Sequence, residues 1–160
     1  MVDNSSILFY SATILTINES RQIIRNGYIH ITNDRITSVG KNYPPTPLPA
    51  HTRIIDCKHK IIIPGLINTH AHLVQSLLRG LAEDLPLHNW LCDAIWPLEA
   101  VYEREDGESA ARLTIAEMLK TGTTSFLDPM LTYRAGFERV CGVVGEMGVR
   151  GCLVRSFSPL

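Results

Sequence analysis

Cysteine is scarce and scattered in this sequence. The four thiols, Cys57, Cys92, Cys141 and Cys152, share no C-x-x-C spacing, which excludes a zinc ribbon and a thioredoxin-like redox motif. A secreted disulfide scaffold would be shorter and denser in cysteine, so reduced, mostly buried thiols in a cytoplasmic protein are expected. Charge of one sign is missing too. The 15 basic residues are spread along the chain against 16 acidic ones, and a net charge of −1 gives neither nucleic acid nor an anionic membrane a reason to bind. No apolar run approaches the ~20 residues of a membrane-spanning helix. The early stretch ILFYSATIL is too short and lacks a basic segment before it. Low-complexity tracts and short-period repeats are also lacking. The 45% share of hydrophobic residues gives no support for disorder, and one or two globular domains are expected.

Two regions with different periodicity are present. Residues 1–63 carry strand signals, and a β-rich N-terminal domain is expected there. ILFYSATILTI is apolar and β-branched, YIHITNDRITSVG places two alternating runs around Asn33-Asp34 as a hairpin would, and RIIDCKHKIII reads as a strand pair or one bent strand. The Pro-rich YPPTPLP (43–49) is a connector, fit for neither helix nor central strand. From Pro64 the pattern alternates. A buried strand in GLINTHAH is followed by helical stretches over about 74–80 and 87–100. A helix over about 107–121 buries Ala111, Ile115, Met118 and Leu119 and stops at Gly122. TTSFLD (123–128) is a strand, Thr132 caps a helix with the stripe Phe137, Val140, Cys141 and Val144, and VRGCLVR (149–155) is the next strand. Such alternation implies βαβ units on a parallel sheet, an α/β fold.

Residues 64–72, PGLINTHAH, carry the chemistry. Side chains two apart on a strand share a face, so His70 and His72 point the same way, at the carboxyl end of a parallel strand. The preceding run IIIPGLIN reads as buried on both faces, and buried imidazoles need partners. One metal ion would serve both. Polar decoration of a surface strand is the competing reading, because H-x-H is less diagnostic than H-E-x-x-H.

PGLINTHAH, continued by LVQSLLRGLAEDLPLHNWL, IWPLEA, KTGTTSFLD and GVRGCLVR, resembles the amidohydrolase superfamily, in particular the branch of chlorohydrolases, guanine deaminases and S-adenosylhomocysteine/methylthioadenosine deaminases. The resemblance covers essentially the whole chain. It implies an incomplete TIM-type (β/α)8 barrel of about three strands over 64–160, preceded by a small β-rich domain over 1–63. It also implies that His70 and His72 bind a catalytic divalent metal, zinc or else iron. In that family the metal activates water for attack on an sp² carbon, and deamination is favoured over dechlorination because LRGLAEDLPL and Glu99 resemble the adenosine-type members. Glu99 matches a carboxylate that contacts ribose hydroxyls, and Arg155 matches a substrate-contacting arginine. A solvated helix-end glutamate and a surface arginine are the competing readings for these two. Trp90 and Trp96 are candidates for the pocket wall, with core packing an equal alternative.

The remaining histidines call for less. His88 falls in a helical stretch and is expected to be hydrogen-bonded or exposed, and His30, His51 and His59 are expected at the surface. Asp128, at a strand end, is expected to orient a loop or ligand rather than to act as a catalyst. The family's further ligands and its general base, an aspartate, lie on later strands, so no catalytic residue is assigned within these 160 residues. Two readings follow. In one the chain is the opening part of a hydrolase of non-peptide C–N bonds acting on a nucleoside-like or purine-like small molecule. In the other it is a non-catalytic truncated pseudoenzyme that pairs with another copy or a complementing chain. Taken alone, three strands with open edges are expected to be poorly stable and inactive.

Overall fold

The structure, a computed structural model, describes residues 5–44 and 47–155. It divides into two compact units, residues 1–64 and 65–160.

In the first unit, strands β1 (Ser6–Leu15), β2 (Ile23–Thr32), β3 (Arg35–Lys41), β4 (Arg53–Asp56) and β5 (Ile61–Ile62) form one sheet in the order β3-β2-β1-β4, with β5 also on β1. The period of two is visible in β1, where Ser6, Leu8, Ala12 and Ile14 are buried. Asn33, at φ 56°, begins the tight turn between β2 and β3, a conformation asparagine tolerates. Both β4 and β5 run parallel to β1, on either side of a bulge at Tyr10 and Ser11. RIIDCKHKIII is therefore one interrupted strand rather than a hairpin. Of the Pro-rich connector, Pro45 and Thr46 lie outside the described residues, and the rest is neither helix nor strand.

In the second unit, β6 (Leu66–Asn68), β7 (Thr123–Leu131) and β8 (Arg150–Arg155) form a parallel sheet in the order β6-β7-β8. A 3₁₀ turn (Leu73–Leu78) follows β6. Next comes one helical stretch made of α1 (Leu87–Asn89), a π-helical segment (Trp90–Ile95) and α2 (Trp96–Ala100). Helix α3 (Arg104–Lys120) leads into β7, and a second 3₁₀ turn (Tyr133–Ala135) with α4 (Phe137–Glu146) leads into β8. The core joins Leu73, Val74, Ile95, Ile115, Leu131 and Val140, all essentially inaccessible. Burying such side chains contributes roughly 1.5–3 kcal/mol each.

Several expectations are corrected here. The run Ile61–Ile67 is not buried on both faces: Ile61, Ile63 and Leu66 are about half exposed or more and Ile67 is 71% exposed. Hydrophobicity shows that a strand can be covered and not that its partner is at hand. Leu119 turns outward at 41%, beyond the arc that α3 lays on the core. Helix α3 also starts three residues early, because Asp106 accepts the Glu103 amide at 2.9 Å and closes the first turn. β7 continues past Asp128 through Pro129, which a register shift before Leu131 accommodates. Thr132 precedes the 3₁₀ turn and makes no side-chain cap, so α4 begins only after Gly136 and buries Val143 in place of Cys141. Of the thiols only Cys57 is buried, with Cys92 and Cys141 half-buried and Cys152 exposed on β8. His51 and His59 lie at the surface, whereas His30 is half-buried with Nε2 2.9 Å from the Ser6 hydroxyl. Its neighbour strand supplies a hydroxyl that an exposed ring would take from water.

Candidate functional site

Pairing of β6 with β7 ends the regular strand at Asn68, but the Ala71 amide still donates to the Leu127 carbonyl at 2.9 Å. This contact keeps residues 70–72 against the carboxyl end of β7. Ala71 is turned into the core, and both histidines are turned out of it. The Asn68 side chain accepts the His70 amide at 3.1 Å and steadies the bend. The two rings meet edge to face with centroids 5.0 Å apart, and their Nε2 atoms are 3.2 Å apart.

Two nitrogen lone pairs repel at that distance unless a proton or a cation lies between them. Tetrahedral zinc, with Zn–N bonds of roughly 2.0–2.1 Å, would set its two nitrogens about 3.3 Å apart. The pair therefore fits as two ligands of one divalent ion. Among the described residues no group of three or more His, Cys, Asp or Glu is disposed to hold a metal.

Two buried carboxylates accompany the histidines. Asp128, fully buried at β7, accepts backbone amides from Leu73 at 3.0 Å and Met130 at 3.1 Å. It fastens the segment after His72 to the sheet, and its Oδ1 stands 3.8 Å from His72 Nδ1. Glu99, 4% exposed in α2, accepts from the Gln75 amide group at 2.8 Å. Burial raises the pKa of both, against the lowering effect of these hydrogen bonds and of His72. Glu99 is thus not a solvated helix-end residue.

A cavity of about 410 Å³ beside the pair is lined by His72, Gln75, Arg79, Trp90, Ile95 and Thr114, among others. The π-helical segment sets Trp90 and Ile95 on this wall, and such local unwinding is frequent at functional sites. Trp96 is half-buried at the start of α2. Arg155 is not brought to this cavity. It lines a separate cleft of about 600 Å³ with Tyr133 and Phe137, its guanidinium carbon 5.9 Å from the Phe137 ring centroid and Nη1 3.8 Å from Glu138. His88 is exposed, within 3.7 Å of the Cys92 sulfur, away from the pair's elements. Sequence reasoning passed over Gln75, and the proximity of Asp128 to His72. Neither has a local signal, since each depends on an element distant in the chain.

Paired imidazoles at the carboxyl edge of a parallel β/α sheet, with a cavity beside His72 whose Gln75 is bonded to the buried Glu99, make a candidate metal-dependent site. The chain belongs to the amidohydrolase family, whose sequence pattern matches residues 61–157. It is 38% identical over 148 residues to a 5-methylthioadenosine/S-adenosylhomocysteine deaminase of Bacillus cereus, an alignment covering 92% of this chain and 34% of that protein. Among solved structures it resembles triazine hydrolase of Arthrobacter aurescens at a TM-score of 0.80 and 26% identity, over 98% of this chain and 36% of that one. It also resembles an adenosine deaminase of Xanthomonas campestris with bound zinc, at a TM-score of 0.78 and 27% identity, over 92% of this chain and 33% of that one. The chain spans about a third of the length of the curated relatives it matches.

Proposed function

We propose that this chain forms the first part of a metal-dependent amidohydrolase that deaminates a purine-nucleoside-like small molecule. Residues 64–160 would open a (β/α)8 barrel, and residues 1–63 would form an N-terminal β-rich domain. The observation that carries this reading is the 3.2 Å approach of the His70 and His72 Nε2 atoms beside the Trp90-walled cavity. Similarity to deaminases supports the reaction class, and zinc bound to the Xanthomonas enzyme supports the metal.

A divalent ion, zinc above iron, would activate water for attack on the carbon bearing the amino group. The chain's own residues would hold and orient. His70 and His72 offer two neutral nitrogens. Glu99 presents an oxygen left free by Gln75 and can accept a hydrogen bond from a sugar hydroxyl, while the Trp90 ring offers an apolar face to a flat base. Arg155 would meet an anionic or polar tail of the substrate from its separate cleft. No general base is assigned within these residues.

One observation favours a second reading, a non-catalytic chain that pairs with another copy or a complementing chain. The edge strands β6 and β8 leave Leu66, Ile67 and Val154 exposed. An antibody against residues 1–160 can capture the protein from its source cells and separate the two. We expect a species heavier than 17.8 kDa that releases ammonia from 5-methylthioadenosine, loses this activity on chelation and regains it with zinc. A captured chain of 17.8 kDa with no such activity would establish the second reading instead.

A further inference from the structure

Both oxygens of the Asp128 carboxylate are occupied by backbone amides, yet Oδ1 also lies 3.8 Å from Nδ1 of His72. That nitrogen is buried and has no hydrogen-bond partner among the described residues. The other ring nitrogen, Nε2, faces His70. A neutral imidazole carries one proton, and the two surroundings decide where it sits.

With the proton on Nε2, the Nδ1 lone pair would face a carboxylate oxygen in a site shielded from water. With the proton on Nδ1, its partial positive charge lies close to that oxygen, and Nε2 offers its lone pair on the side of His70. A water-poor surrounding enlarges the difference between these arrangements. Asp128 cannot turn away, because the Leu73 and Met130 amides fix both oxygens.

We propose that Asp128 is a positioning residue that holds His72 in its Nδ1–H tautomer and so keeps Nε2 free as a metal ligand. This rests on reading His70 and His72 as a metal pair. Aspartate at this place does two things at once. It anchors the amide of the residue after the ligand, and it orients the ligand's own ring. Carboxylate partners of metal-binding histidines typically contribute about 10–100-fold to metal affinity.

The test uses the ¹⁵N-labelled 160-residue chain in two experiments. Long-range ¹H–¹⁵N spectra of the metal-free chain, at a pH where the imidazoles are neutral, read the tautomer directly. Zinc titrations then compare wild type with Asp128→Asn, His70→Ala and His72→Ala. We expect His72 as Nδ1–H in the wild type, and zinc binding that either alanine variant abolishes and Asp128→Asn weakens about 10–100-fold. His72 as Nε2–H would overturn the proposal. So would unchanged affinity in Asp128→Asn, and in that case binding through both histidines would leave the metal pair standing. Wild-type binding that is absent, or indifferent to both alanine variants, would overturn the metal pair and the proposal together. The wild-type tautomer is read without any substitution, so it decides the matter even where Asp128→Asn does not fold.

Discussion

Gly107 sits in the first turns of α3, where glycine is ordinarily a poor choice. Replacing a helical glycine with alanine stabilises by about 0.8–1.0 kcal/mol when the new methyl has room. At Gly107 it has none. A Cβ would press on the carbonyl oxygen of Ala135 and lie 2.7 Å from its Cα. Both obstacles are backbone atoms of the 3₁₀ turn, so no side chain can swing aside, and α3 would have to move off the turn. Overpacking of this kind costs about 1–3 kcal/mol or more. Set against the propensity gain, Gly107→Ala is expected to lose about 1–2 kcal/mol. Gly142 on α4 is the control, since nothing among the described residues lies within 4 Å of where a Cβ would stand, and Gly142→Ala is expected to gain about 0.5–1 kcal/mol. Urea unfolding followed by circular dichroism measures both. The reasoning is refuted if Gly107→Ala unfolds at the wild-type midpoint or above it.

Three further outcomes are expected. Tyr102 donates from its phenol to the Val74 carbonyl at 2.9 Å, so Tyr102→Phe removes a buried hydrogen bond and costs about 0.5–1.5 kcal/mol in the same unfolding assay. Burial, followed by the nearby Glu99 and Asp106 charges, pushes the Tyr102 phenol up to about 12, and its ultraviolet titration should come later than that of an ordinary tyrosine. Burial also raises the Glu99 pKa, so the folded chain keeps a proton that the unfolded chain releases. Stability then falls as pH rises from the usual carboxylate range through the raised value. Glu99→Gln should remove that part of the slope, raising Tm at pH 7 with little gain near pH 4, and equal shifts at both pH values would contradict it.

Residues whose role depends on neighbours in the chain were legible. The alternation around Asn33-Asp34 gave the β2–β3 hairpin, and the spacing of Ala111, Ile115 and Met118 gave the buried face of α3. The start of α3 was placed three residues late, because the bond from the Glu103 amide to Asp106 lets the helix begin ahead of Gly107. The end of β7 was placed at Asp128, because a register shift that carries the strand on to Leu131 depends on its neighbour β8. At the site, the H-x-H spacing marked His70 and His72 as candidates, and the resemblance of the surrounding stretches to amidohydrolases favoured the metal reading over surface decoration. The bond from Gln75 to Glu99 and the contact between Asp128 and His72 join elements 24 and 56 residues apart, which no local pattern encodes. Exposure of Ile67 was illegible for a different reason, since composition records a demand for cover and not its supplier.

The central claim is that His70 and His72 converge on one divalent ion. X-ray absorption at the zinc edge of the zinc-loaded chain tests it most directly. The account predicts imidazole nitrogens at roughly 2.0–2.1 Å in the first shell, with histidine scattering lost in His70→Ala and in His72→Ala. A first shell of sulfur at roughly 2.3 Å, or a histidine signal that survives both substitutions, would contradict it.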